Sequence, residues 1–277
     1  MLIGYRTWMK IFYAGLPSLV VLLSTAFAQD GTWEANYDAA KHAFTEHRYT
    51  DAEKSYLAAL VHAENLEPKD PRLATTLIGL GILYDVERRY EEAEPLLQRT
   101  VELKEEEPVA DPSGLAKAQL QLAELYRATR RFAKAEMLYQ RALAASQRPP
   151  NADPVTTATV HLDLGLLYSA QDRLSEAKAE YLSAVSGFQN SAGMDRTGLG
   201  FSNLNLAQIY EAENKFADAE PRYQQAITAF EEAAGPNSPN VATTLENYAR
   251  LLRKLNRKSE ASKMKRQAEE IRRHSSS

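Results

Sequence analysis

Large apolar residues recur along this chain on two interleaved series with a spacing of 42, the first step of the second series being 41. Tyr84, Tyr126, Tyr168 and Tyr210 stand 42 residues apart, and Leu252 falls on the next step. The second series runs Tyr49, Tyr90, Phe132, Leu174 and Phe216, with Lys258 in the last place. Three residues after each member comes an alanine, at Ala52, Ala93, Ala135, Ala177, Ala219 and Ala261. Four further on stand Tyr56, Leu97, Tyr139, Tyr181 and Tyr223, and then small residues at Ala59, Thr100, Ala142, Ala184 and Ala226. Offsets of three and four fall on one face of an α-helix. A fixed period of this length predicts stacked helical units rather than a conventional globular core.

The alternation of small and large residues has a geometric reason. Two antiparallel helices approach closely only where side chains are small, and the tyrosines and leucines fill the space alongside. Helix starts are marked by Asp70-Pro71, Asp111-Pro112, Asp153-Pro154 and Ser238-Pro239, while Asp195-Arg196 keeps only the cap. Asp or Ser accepts a bond from an orphan amide, and proline in the first helical position has no amide to satisfy. These signals predict an all-α fold, an α–α superhelix of about six antiparallel helix pairs between Trp33 and Arg273. The breaks within pairs fall near Arg48, Arg89, Arg131, Arg173, Lys215 and Arg257. The units lie near 31–71, 72–112, 113–154, 155–196, 197–239 and 240–274, in one repeat domain spanning 29–274. A single pair cannot bury its apolar face alone, so neighbours stack. Lys258, Ser262 and Lys265 take places that are apolar earlier, as a solvent-facing terminal cap requires.

The segment Leu73 to Leu103, LATTLIGLGILYDVERRYEEAEPLLQRTVEL, resembles a tetratricopeptide repeat in the long 42-residue form known from kinesin light chains. Phe201 to Leu252 is similar too, including Gly235-Pro236 and Ser238-Pro239 of the inter-repeat loop. Armadillo and HEAT repeats have comparable periods, but the order Leu-small-x-x-Tyr followed by aromatic-x-x-Ala resembles the tetratricopeptide contacts. The first unit departs from the pattern, with Ala39, Ala40 and Ala43 in place of the Leu-Gly-Tyr set.

The resemblance implies that the first helix of each pair lines a concave groove gripping a peptide or a partner helix. Five residues before the recurring large residue stand Gly79, Gln121, Asp163, Asn205 and Asn247. Asparagine there resembles the family's backbone-clamping residue, because an amide both donates and accepts. Gln121 and Asp163 fit that pattern less fully, and Gly79 brings no side chain. On the same expected surface lie Glu124, Arg127, Gln208, Arg250 and Arg253. Placement on an ordinary solvated helix face is the competing reading of all of them.

The first residues change the picture of where the chain works. Arg6 and Lys10 precede an apolar stretch from Ile11 to Leu23, and Ala26-Phe27-Ala28 follows. A basic start, an apolar middle and a small-x-small exit predict a cleavable secretory signal over residues 1–28. The alternative is a retained anchor, because Ile11 to Ala28 is just long enough to span a bilayer. The expected location is the periplasm or cell envelope, or outside the cell. Residues 275–277 are expected to form a disordered tail.

Charge is uneven. The 277 residues carry a net charge of −4, which becomes −6 without Arg6 and Lys10. Arg250 to His274 nevertheless holds ten bases and three acids. That end is a solvated cap or meets an acidic partner or anionic lipid. The absence of cysteine excludes disulfides, thiolate catalysis and sulfur-bound metals. Glu102 with Glu105, Glu106 and Glu107 lacks the spacing of a calcium loop. His42, His47, His62, His161 and His274 show no paired ligand spacing. Neither a phosphate-binding glycine loop nor a nucleophile with its base is visible.

These features predict a non-catalytic interaction scaffold with no cofactor and no metal. Its partner is a protein or peptide and not nucleic acid. A membrane enters only through an uncleaved N-terminal segment or the basic C-terminal end. A regulatory or structural subunit of an envelope enzyme or secretion assembly, and a self-associating oligomer, are the alternatives. The sequence leaves the oligomeric state open.

Overall fold

A computed structural model describes residues 31–67, 70–106, 111–149, 152–191 and 195–275. The signal expected over residues 1–28 lies outside these, as do the last two residues of the expected tail. Among the described residues, twelve helices follow one another and no strand occurs. The chain divides into two compact units, Met1–Glu106 and Glu107–Ser277. In the first unit α1 (Trp33–Thr45) pairs with α2 (Tyr49–Glu64), and α3 (Pro71–Val86) with α4 (Tyr90–Glu105). In the second, α5 (Pro112–Ala128) pairs with α6 (Phe132–Ser146) and α7 (Pro154–Ala170) with α8 (Leu174–Asn190). There too α9 (Arg196–Ala212) pairs with α10 (Phe216–Ala234) and α11 (Pro239–Lys254) with α12 (Lys258–Ser275).

The helix boundaries follow from local chemistry. Asp70 accepts from the amide of Arg72, Asp111 from Gly114, Asp153 from Thr156, Asp195 from Gly198 and Ser238 from Val241. Inside each pair the turn is set by one left-handed residue: His47, Arg88, Arg130, Asp172, Asn214 or Asn256, with φ between 58° and 61°. The amide after it reaches back five residues to a helix carbonyl, as from Arg131 to Tyr126 at 2.7 Å and from Lys215 to Tyr210 at 2.8 Å. This is the Schellman closure of a helix end. It occurs without glycine at all six places.

Packing within the pairs matches the periodic pattern. Ala52, Ala93, Ala135, Ala177 and Ala219 are fully buried, as are Ala59, Thr100, Ala142, Ala184 and Ala226. Tyr139, Tyr181, Tyr223, Phe188 and Phe230 are among the largest fully buried side chains. Each such ring stabilises the fold by about 1.5–3 kcal/mol through removal of apolar surface from water. Two glycines mark close approaches: a Cβ on Gly165 would sit 2.5 Å from Tyr181 Cε1, and one on Gly79 2.6 Å from Tyr56 Cε1. Gly79 therefore supplies no groove side chain because the Tyr56 ring covers it. At the end of the chain Ala261, Ala268 and Ile271 are buried, while Lys258, Ser262 and Lys265 face solvent as a cap.

Candidate functional site

In the second unit the first helices of successive pairs touch directly, α5 with α7 and α7 with α9. Among the described residues the second helices make no comparable contact with one another, so the pairs of this unit fan out with the first helices on the inner side. An acid on a second helix also ties it to the first helix of the next pair. Glu136 of α6 accepts from Tyr168 Oη at 3.1 Å and from Arg173 Nη1 at 2.9 Å, and Arg173 stacks on the Tyr168 ring at 4.1 Å. Glu220 of α10 takes Tyr248 Oη at 2.5 Å and Arg257 Nη1 at 2.7 Å. Within the first unit Glu53, Tyr84 and Arg89 repeat the arrangement, with bonds of 2.8 and 2.9 Å. In the fourth pair the charges are exchanged, because Lys178 stands in the acid's place and donates to Glu213 at 2.6 Å.

The inner face of α5 and α7 carries a compact polar cluster. Arg127 is bound by Glu124 through Nη2 at 2.6 Å, and the Tyr139 hydroxyl, reaching across from α6, donates to the same carboxylate. The Tyr181 hydroxyl comes through from α8 to Ser169 Oγ at 3.1 Å. Burial pushes the Tyr181 phenol up to about 12. Asp163 lies among these groups, 9% exposed, with no hydrogen bond or ion pair among the described residues. Burial above all, and then the Glu124 charge, raise its pKa well above the ordinary aspartate value, against the opposing effect of Arg127. Gln121 is half-buried one turn before Glu124 on the same face.

Further along, Asn205 is half-buried and donates through Nδ2 to the Phe201 carbonyl of its own helix at 2.9 Å. That bond leaves its side-chain oxygen available to an incoming donor. Gln208 is exposed one turn later, Asn247 is half-buried on α11, and Arg250 and Arg253 are exposed. Arg250 and Lys254 converge on Glu211, which is only 6% exposed and also accepts from Tyr223 Oη at 2.7 Å. Burial opposes ionisation of Glu211, but the bonds from Lys254 and Tyr223 together with the charges of Arg250 and Lys254 outweigh it and lower its pKa.

All nine residues singled out from the sequence lie on first helices of the second unit. Glu124, Arg127 and Asp163 form one cluster; Arg250 joins a second around Glu211; Gln121, Asn205, Gln208, Asn247 and Arg253 stand between or beside them. Sequence reasoning missed Tyr139, Tyr181, Tyr223, Ser169, Glu211 and Lys254. The signal for Ser169 and Glu211 was present, because each directly follows a recurring tyrosine, as Arg127 does. No group of three or more metal-ligating side chains is placed to hold an ion among the described residues. None of the described helices is long and apolar enough to cross a membrane.

A family profile, tetratricopeptide repeat, matches residues 34–106, 114–190 and 200–274. A search among curated proteins finds no match. Among solved structures, BtubC (BKLC) from P. vanneervenii is 23% identical over 83% of this chain and 88% of that one, with a TM-score of 0.63. A putative kinesin light chain from Podosopora anserina, with nearly identical TPR-like repeats, is 16% identical over 73% and 96%, with a TM-score of 0.57. A Rap protein complexed with competence and sporulation factor is 14% identical over 87% and 75%, with a TM-score of 0.60. At these identities the likeness is one of fold.

Proposed function

We propose that this chain, which belongs to the tetratricopeptide repeat family, is a non-catalytic scaffold that holds a protein or peptide partner along the inner face of its second unit. One observation carries the reading. Four successive first helices carry polar side chains at the same register, half-buried at Gln121, Asn205 and Asn247 and buried at Asp163, while the apolar positions are spent on packing. Such a surface binds by many modest contacts on a preformed shape. The similarity in fold to a Rap protein solved with competence and sporulation factor supports this use of the fold.

Asn205 and Asn247 are the proposed main-chain clamps, and Gln121, Gln208, Arg250 and Arg253 flank them. Replacing both asparagines by alanine is expected to weaken capture of partners cross-linked in the native cell. Thermal stability should stay unchanged, because Asn205 bonds only to its own helix. Capture undiminished by the double substitution refutes the groove reading.

We also propose that the scaffold works outside the cytoplasm, supported by the signal-like pattern of residues 1–28. Cell fractionation with N-terminal sequencing tests this. A mature N-terminus at Gln29 is the expected result, and a cytoplasmic chain beginning at Met1 refutes it.

A further inference from the structure

We propose that Asp163, backed by Glu124, forms a subsite on the inner face of the second unit that takes the cationic head of a lysine or arginine side chain from the bound partner. The proposal rests on the reading of that face as a partner-binding surface and names the chemistry of one position within it.

Asp163 is nine-tenths buried and has no protein donor, so its carboxyl oxygens depend on the little solvent that reaches them, which leaves them poorly satisfied. None of the donors around it bonds to Asp163 among the described residues. Arg127 is held by Glu124 at 2.6 Å, the Tyr139 hydroxyl also goes to Glu124, and the Tyr181 hydroxyl lies against Ser169 at 3.1 Å. At the same register in the fifth pair, Asn205 meets its own need by bonding to Phe201. Asp163 has no N–H with which to do the same.

Charge decides which ligand is suited. Two carboxylates, Asp163 and Glu124, face one guanidinium, that of Arg127, so ionisation of both leaves one negative charge uncompensated where water is scarce. A cation satisfies the missing donors and the missing charge together. With only 9% of Asp163 exposed, access suits a slender aliphatic stem carrying its charge at the tip, which is the form of lysine and arginine. A resident metal ion is less suited, since no third ligating side chain joins the two carboxylates among the described residues.

The groups facing Asp163 are Glu124 and Arg127 from α5, Tyr139 from α6 and Tyr181 from α8. Burial and Glu124 make Asp163 hold its proton more tightly than an ordinary aspartate. A bound cation favours the ionised form, so binding of a basic peptide tightens as pH rises.

The test is panning of a phage-displayed random dodecapeptide library on the full-length wild-type chain and on Asp163→Asn, followed by titration of synthetic peptides. The wild type is expected to select peptides with a lysine or arginine at one fixed place. Replacing that residue by glutamine in the peptide should lower affinity for the wild type about tenfold or more. For Asp163→Asn the same replacement should change affinity by less than about threefold, with both chains giving the same helical circular dichroism. Peptides selected without a fixed basic position overturn the subsite and leave the scaffold reading intact. A loss on lysine-to-glutamine exchange that is equal in both chains does so too. The peptide-side exchange tests the wild type whether or not the variant folds. Selection of no peptide at all overturns the scaffold reading itself, and the subsite with it.

Discussion

If Asp163 is kept for a ligand, the free protein carries a stability cost that Asp163→Asn should relieve. A carboxyl with an unfolded pKa near 3.9 has two options when buried without donors at pH 7. It can remain ionised and lose its hydration, or take up a proton, which costs at most about 4 kcal/mol at that pH. Arg127 offsets part of the first cost, and the amide that replaces the carboxyl has imperfect bonds worth about 1 kcal/mol. The variant is therefore expected to gain about 1–3 kcal/mol at pH 7. The sign of the pH dependence follows from the raised folded pKa. Stability tied to the protonated form is fully present below the unfolded value and is lost as pH rises through the folded one. The wild type should thus approach the variant as pH falls toward 4. Urea unfolding followed by circular dichroism at pH 7 and pH 4 measures both quantities from midpoint shifts at constant slope. A variant no more stable than wild type at pH 7, or a gap that does not narrow in acid, refutes the account of Asp163 as an unsatisfied carboxyl.

Other elements give further tests. Arg88 is exposed at φ 60°, so Arg88→Gly should raise stability by about 0.5–1 kcal/mol, read as a higher urea midpoint, the left-handed strain exceeding the added freedom of the unfolded chain. Glu53→Gln should cost about 1 kcal/mol at pH 7, because it weakens the bonds to Arg89 and Tyr84. Arg89, chiefly, holds the Glu53 carboxyl below its ordinary value, so this stability is present above about pH 4.3 and disappears as acid titrates the group. Acid titration of wild type and variant should show the two curves converging. Tyr223→Phe removes a donor from Glu211, which is only 6% exposed, and should cost about 1–2 kcal/mol in the same assay. An unchanged midpoint contradicts the bonding assigned to Glu211.

Much of the architecture was legible because it rests on short-range chemistry. The caps at Asp70, Asp111, Asp153, Asp195 and Ser238 act on amides two or three residues away. The breaks near Arg48, Arg89, Arg131, Arg173, Lys215 and Arg257 coincide with the residues that precede the second helices. Only Asn214 and Asn256 hinted at the left-handed turns, because histidine, arginine and aspartate fill the other four places, where glycine would have announced them. The shared register of the inner-face residues was likewise a matter of counting along the chain.

What that count left open was which of those residues still have bonding capacity to offer. Asn205 and Asp163 occupy one register, yet the amide of one donates to its own helix while the buried carboxyl of the other receives no bond among the described residues. The difference arises because asparagine has an N–H to give its own helix and aspartate has none, while the hydroxyls of Tyr139 and Tyr181, which reach the inner face from the second helices, go to Glu124 and Ser169 instead. The exchange of Lys178 with Glu213 follows the same logic across 35 residues. Sequence by itself determined the period, the helix ends and the small-large interlock, since each depends on neighbours within a turn or two of the chain. Tertiary structure alone decided where charge and hydrogen-bonding capacity remain unspent, since that depends on which side chains meet when whole pairs stack.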